Sequence, residues 1–154
     1  MRSTVSVLAI LLALSACGQA AHNDHNAGVT NTASATAGPI VRLHAVPGRP
    51  AAGYFDYRVT GDRGALLSVS SPQAGRIELH ETMAHGNMTS MRPIERLAVR
   101  DGETLSFRPG GRHLMLFDID RSVPAGGRIA LILHFERGDP ATISATLVPT
   151  GGDI

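Results

Sequence analysis

From residue 40 onward, hydrophobic and polar residues alternate with a period of two in short runs. Positions 41–46 and 54–59 carry the first two, followed by 66–69, 76–80, 94–99, 104–107 and 113–117, with the two strongest runs at 128–135 and 141–148. Turn-forming residues separate them: Gly61-Asp62, Ser71-Pro72, Asp101-Gly102, Pro109-Gly110-Gly111 and Gly126-Gly127. Side chains two apart on a strand share a face, so each run has a face to bury. Short strands at near-regular spacing, with no long helical pattern, predict an all-β sandwich or small barrel of about eight or nine strands. Run 128–135 is apolar on both faces: Ile129, Leu131, Leu133 and Phe135 alternate with Ala130, Ile132 and His134. That pattern predicts a central strand.

The N-terminus reads differently. Arg2 precedes a nearly unbroken apolar run from Val5 to Leu14, which ends in Leu14-Ser15-Ala16-Cys17. A charged start, a short apolar core and small residues before a cut describe a secretory signal over residues 1–16. The run is too short to span a bilayer as a stable helix. Its last residues resemble the lipobox of bacterial lipoproteins, which implies cleavage before Cys17 and lipidation of its sulfur. Several acyl chains anchor stably where one holds only marginally. Cys17 is also the only cysteine, so no thiol is left for a disulfide, a blue-copper centre or a catalytic nucleophile.

Residues 17–39 are rich in Ala, Asn, Thr, Ser and Gly without apolar periodicity. Such a segment buries too little surface to offset its ordering entropy and reads as a flexible tether. It contains His22 and His25, either two solvated side chains or an auxiliary pair toward a metal ion. Residues 40–149 have the length of one domain, and 150–154 form a short tail. The formal net charge of +1 offers no basic patch for nucleic acid. No phosphate loop, nucleophile elbow or zinc-protease motif is present, and Asp118 and Asp120 read as solvated positions beside a turn. The sequence predicts a non-enzyme.

Methionine usually fills gaps throughout a core. Here, once Met1 leaves with the signal, Met83, Met88, Met91 and Met115 all fall within one window, together with His80, His85 and His113. Thioether sulfur selects copper(I), and imidazole suits copper in either oxidation state. A thioether also has no proton to lose and cannot be oxidised to a disulfide, so it suits an oxidising compartment. Zinc would more often recruit cysteine or carboxylate as well. His113-Leu114-Met115 places two donors on one strand face, with Leu114 turned away. His80 is expected to end one strand and Met91 to begin the next, with Met83, His85 and Met88 in the loop between as alternative or capture residues, or as solvent-facing ones. His44 and His134 fall away from the cluster.

His80, ten residues, Met91, twenty-one residues, then His113-x-Met115 resembles the metal motif of the periplasmic PCu(A)C copper chaperones. Glu78-Leu79-His80-Glu81, Met91-Arg92-Pro93 and residues 110–116 resemble the flanking family segments, and the similarity runs from Ala45 to Val148. The resemblance implies a cupredoxin-like β-sandwich that holds one copper(I) through His80, Met91, His113 and Met115. It further implies delivery toward the Cu(A) centre of cytochrome c oxidase or to another periplasmic copper carrier. Family members with a second copper site carry a Met/His-rich C-terminal tail; residues 151–154, Gly-Gly-Asp-Ile, do not have that pattern. Two other functions fit the same residues. One is a copper buffer or tolerance protein with no dedicated acceptor. The other is a lipoprotein interaction module in which the Met/His cluster is incidental. Gly18, where an aspartate would favour inner-membrane retention, slightly favours the outer membrane of a Gram-negative cell.

Overall fold

A computed structural model describes residues 38–86 and 88–151. Residues 1–37, with the signal, Cys17, His22 and His25, lie outside the described residues. Ten strands follow one another: β1 (Ile40–Arg42), β2 (Ala51–Arg58), β3 (Ala65–Ser70), β4 (Ala74–His85), β5 (Met88–Pro93), β6 (Leu97–Ala98), β7 (Thr104–Phe107), β8 (Arg112–Ile119), β9 (Arg128–Phe135) and β10 (Ala141–Val148). The all-β expectation holds, with slightly more strands than the periodicity announces.

The strands pair in the order β5-β4-β8-β2-β1-β10-β9-β3-β6, and β7 pairs with the second half of β2. All contacts are antiparallel except β1 against β10. The long β2 serves β1 through Ala52–Tyr54 and two further neighbours in turn. Ala51–Gly53 pair with β8, and Phe55–Arg58 pair with β7. Residues from both ends of the strand order, Leu79 and Leu114 on one side and Val69 and Leu131 on the other, meet in one hydrophobic core. The sheet therefore folds over onto itself, which is how a sandwich or small barrel buries one face of every strand.

Alternation explains the burial. Ile129, Leu131 and Leu133 of β9 are fully enclosed, and β9 lies between β10 and β3 as an interior strand. Leu114 and Leu116 of β8 are equally enclosed. They pack closely on β2 because residue 53 is glycine: a Cβ there would lie 3.1 Å from the Leu114 Cβ and 3.2 Å from Leu116 Cδ1.

Three expected boundaries move. His80 lies inside β4, which continues to His85 and turns at Gly86 (φ +59°) into β5. Met83, His85 and Met88 thus sit on the strands of a hairpin rather than in a loop. Ribbon residues such as Thr89, Ser90 and Met91 are exposed, so no apolar alternation marked them as strand. The run at 94–99 contracts to β6, and β1 ends at Arg42. His44 then lies in the connection between β1 and β2, where its Nδ1 accepts the Val46 N–H at 3.0 Å.

Candidate metal centre

Strand register assembles the four predicted side chains. On β4 and β8, His80 pairs with His113, Glu78 with Met115 and Arg76 with Phe117. On β4 and β5, Thr82 pairs with Met91. Directly opposed residues point to the same side of a sheet, and residues two apart on one strand do likewise. His80, His113, Met115 and Met91 therefore share one face. Leu79 and Leu114, one residue away, belong to the core on the other. Met83 and Met88 fall on the face opposite the quartet. His85 pairs with Met88 at the hairpin end.

The imidazoles are the inner part of the site. Their ring centroids are 6.1 Å apart with planes 38° from parallel. With a metal–nitrogen bond of about 2 Å, an ion lies roughly 3 Å from each ring centre, so one ion can reach both. His113 is the one buried polar side chain among the described residues, at 8% exposed. Met115 is half-buried, whereas Met91, on the outermost strand, is 60% exposed. The site thus grades from an enclosed imidazole to a thioether open to solvent.

The second atoms of the two rings have different partners. His113 Nδ1 lies 3.0 Å from the Gly111 carbonyl. This carbonyl is presented by the turn at Pro109-Gly110-Gly111, where Gly110 takes φ +77°. A carbonyl only accepts, so Nδ1 carries the hydrogen, and in the neutral ring Nε2 carries the lone pair. His80 Nε2 lies 3.0 Å from Glu78 Oε2. Glu78 Oε1 in turn accepts from Arg76 Nε at 3.2 Å, and the Arg76 guanidinium lies 4.2 Å over the Phe117 ring. His80 Nδ1 is buried with no hydrogen-bond partner. A buried polar atom left unpaired costs roughly 1–3 kcal/mol, and a metal ion would satisfy it. The residues therefore fit a metal.

Among the described residues, no three His, Cys, Asp or Glu side chains gather to hold an ion. The two thioethers are the further soft donors on this face, and two imidazoles with two thioethers are a donor set for copper(I). His134 stands apart, with Nε2 2.7 Å from Ser70 Oγ. Further along the site face, burial pushes the Tyr54 phenol above its ordinary range, against the pull of Arg42. Glu78 has no role among the sequence expectations. Its signal was the period-two series Arg76, Glu78, His80, which puts a carboxylate on the imidazole's own face.

Residues 29–147 match the family described as "Putative lipoprotein LpqE-like". A curated relative, "Putative lipoprotein Lxx21020" of Leifsonia xyli subsp. xyli, is 27% identical over 103 residues, covering 66% of this chain and 62% of that protein. The chain thus spans less than two thirds of that relative's length. Two solved structures share the fold. The copper-bound PCuAC domain from PmoF2 matches with a TM-score of 0.56 at 22% identity, over 72% of this chain and 88% of that one. The solution structure of CuI-DR1885 from Deinococcus radiodurans matches with a TM-score of 0.57 at 21% identity, over 80% and 87%. The expected likeness to PCuAC domains holds at the level of fold.

Proposed function

The chain belongs to the LpqE-like lipoprotein family, and from that premise we propose that it is a lipid-anchored extracytoplasmic carrier of copper(I). One ion is held by His80, Met91, His113 and Met115. The observation that carries the proposal is the register that opposes His80 to His113 and sets both thioethers on their face. The buried, unpartnered Nδ1 of His80 supports it. So does the shared fold with a domain solved copper-bound and another solved in its CuI form.

The gradient of exposure suggests how the ion leaves. Met91 is the donor an incoming protein reaches first, and His113 the last. A thiolate-rich acceptor displaces the outer thioether, binds the ion, and draws it off the imidazoles by stepwise ligand exchange. Four neutral donors leave the ion's charge uncompensated among themselves, which favours passage to anionic sulfur. A closed set of four ligands leaves no open position for a substrate, so the role is carriage rather than catalysis.

The acceptor in this reading is the Cu(A) centre of cytochrome c oxidase or another periplasmic copper carrier. Incubating the copper(I)-loaded chain with an apo Cu(A) domain tests delivery: the account expects copper to appear in the acceptor, and retention against a tighter acceptor would contradict it. A deletion strain separates delivery from buffering. Loss of oxidase activity at low copper supports delivery, and copper sensitivity alone supports a buffer.

A further inference from the structure

Two imidazoles on one face would ordinarily be treated as equivalent donors. Their hydrogen-bond partners make them unlike. We infer that Glu78 and the Gly111 carbonyl hold His80 and His113 in opposite tautomers, so that copper(I) meets Nδ1 of His80 and Nε2 of His113. The inference rests on the copper reading of this site and assigns Glu78 as a positioning residue within it.

The carboxylate of Glu78 is 3.0 Å from His80 Nε2. A carboxylate engaged by Arg76 through its other oxygen is an acceptor, so a neutral His80 carries its hydrogen on Nε2. The lone pair then sits on Nδ1, the atom that is buried and unpartnered. At His113 the pattern inverts. Nδ1 is engaged by the Gly111 carbonyl at 3.0 Å, which leaves the lone pair on Nε2. Metal-bound histidines commonly donate their other N–H to a carboxylate or a backbone carbonyl, which fixes the ring and raises its basicity. Both kinds of partner occur here, one per ring.

The Glu78 arm is itself braced. Arg76, Glu78 and His80 occupy successive same-face positions of β4, opposite Phe117, Met115 and His113 of β8. Arg76 lies over Phe117 while bonding Glu78, which favours the Glu78 rotamer that faces His80. The negative charge also lies one imidazole away from a monovalent cation held by neutral donors. Binding through His80 Nε2 would instead break the Glu78 contact and leave Nδ1 buried and unpaired.

Long-range proton–nitrogen NMR of the metal-free full-length chain, at a pH where both rings are neutral, reads the tautomers directly. Nε2–H at His80 and Nδ1–H at His113 are expected. Glu78→Gln offers one acceptor oxygen to two donors, Arg76 and His80, and is expected to weaken the His80 preference; Glu78→Ala is expected to lose it while His113 is unchanged. Copper(I) affinity is expected to fall about 10- to 100-fold in Glu78→Ala, with Glu78→Gln between that variant and the parent chain. Nδ1–H at His80 in the parent chain, together with tight copper(I) binding, would overturn the inference alone. The expected tautomers without tight copper(I) binding would overturn the copper reading on which it rests.

Discussion

Leu114 lies between His113 and Met115 in sequence and on the opposite side of the strand in space. Replacing it with alanine should therefore damage the fold without touching the site. Leu114 is fully enclosed against β2, with Gly53 at its back. Leu114→Ala removes three carbons, worth roughly 2.4 kcal/mol at about 0.8 kcal/mol each. The cavity left behind adds to this, and buried leucine truncations span about 2–5 kcal/mol. With a urea dependence of about 1.5–2 kcal/mol per molar, the unfolding midpoint of the metal-free chain should fall by roughly 1–3 M. Copper(I) bound as proposed would stabilise the native state through its affinity alone, by about 2.7 kcal/mol when free ion is a hundredfold above the dissociation constant. That increment should be the same in the parent chain and in Leu114→Ala, and absent in His113→Ala. Parallel urea titrations with and without anaerobic copper(I) read both quantities. A loss below about 1 kcal/mol, or a folded Leu114→Ala chain with no copper increment, would refute the division into core and site faces.

Gly53→Ala tests the same strand from behind. The new methyl must displace Leu114 and Leu116 by a few tenths of an ångström, and overpacking of about 1–3 kcal/mol outweighs the roughly 0.4–1 kcal/mol gained from restricting the unfolded chain. A net fall in thermal midpoint is expected in calorimetry, and an unchanged or raised midpoint would show that β8 gives way freely. Cys17→Ser should move the protein from the membrane pellet to the soluble fraction and abolish incorporation of labelled fatty acid; continued membrane association would remove the anchor from the account.

The strands that build the core were legible because each carries an unbroken apolar face at every second position, Ile129 to Phe135 in 128–135 and Ala141 to Leu147 in 141–148, and β9 and β10 occupy those spans. His113-Leu114-Met115 was legible for the same reason, and both its faces follow the expectation. The β4–β5 hairpin was not. All of β5 is exposed, so selection for burial leaves no period-two trace, and glycine at position 86 reads as well for a loop as for a tight turn. The run at 94–99 misled in the other direction. Ile94, Leu97 and Val99 contribute to the core, but only Leu97 and Ala98 find a strand partner, in β3. Glu78 was hidden because a carboxylate on a half-exposed strand ordinarily points to water. The period-two series sets it beside the His80 imidazole, but only the register with β8 shows that the Met115 thioether lies opposite it.

Anaerobic titration of the full chain with copper(I) against a competing chelator tests the central claim most directly. One tightly bound equivalent, lost in Met91→Ala or His113→Ala while both variants remain folded, is the result the account predicts. A folded parent chain that fails to compete for copper(I) would contradict it and leave the β-domain as an interaction module with an incidental Met/His cluster.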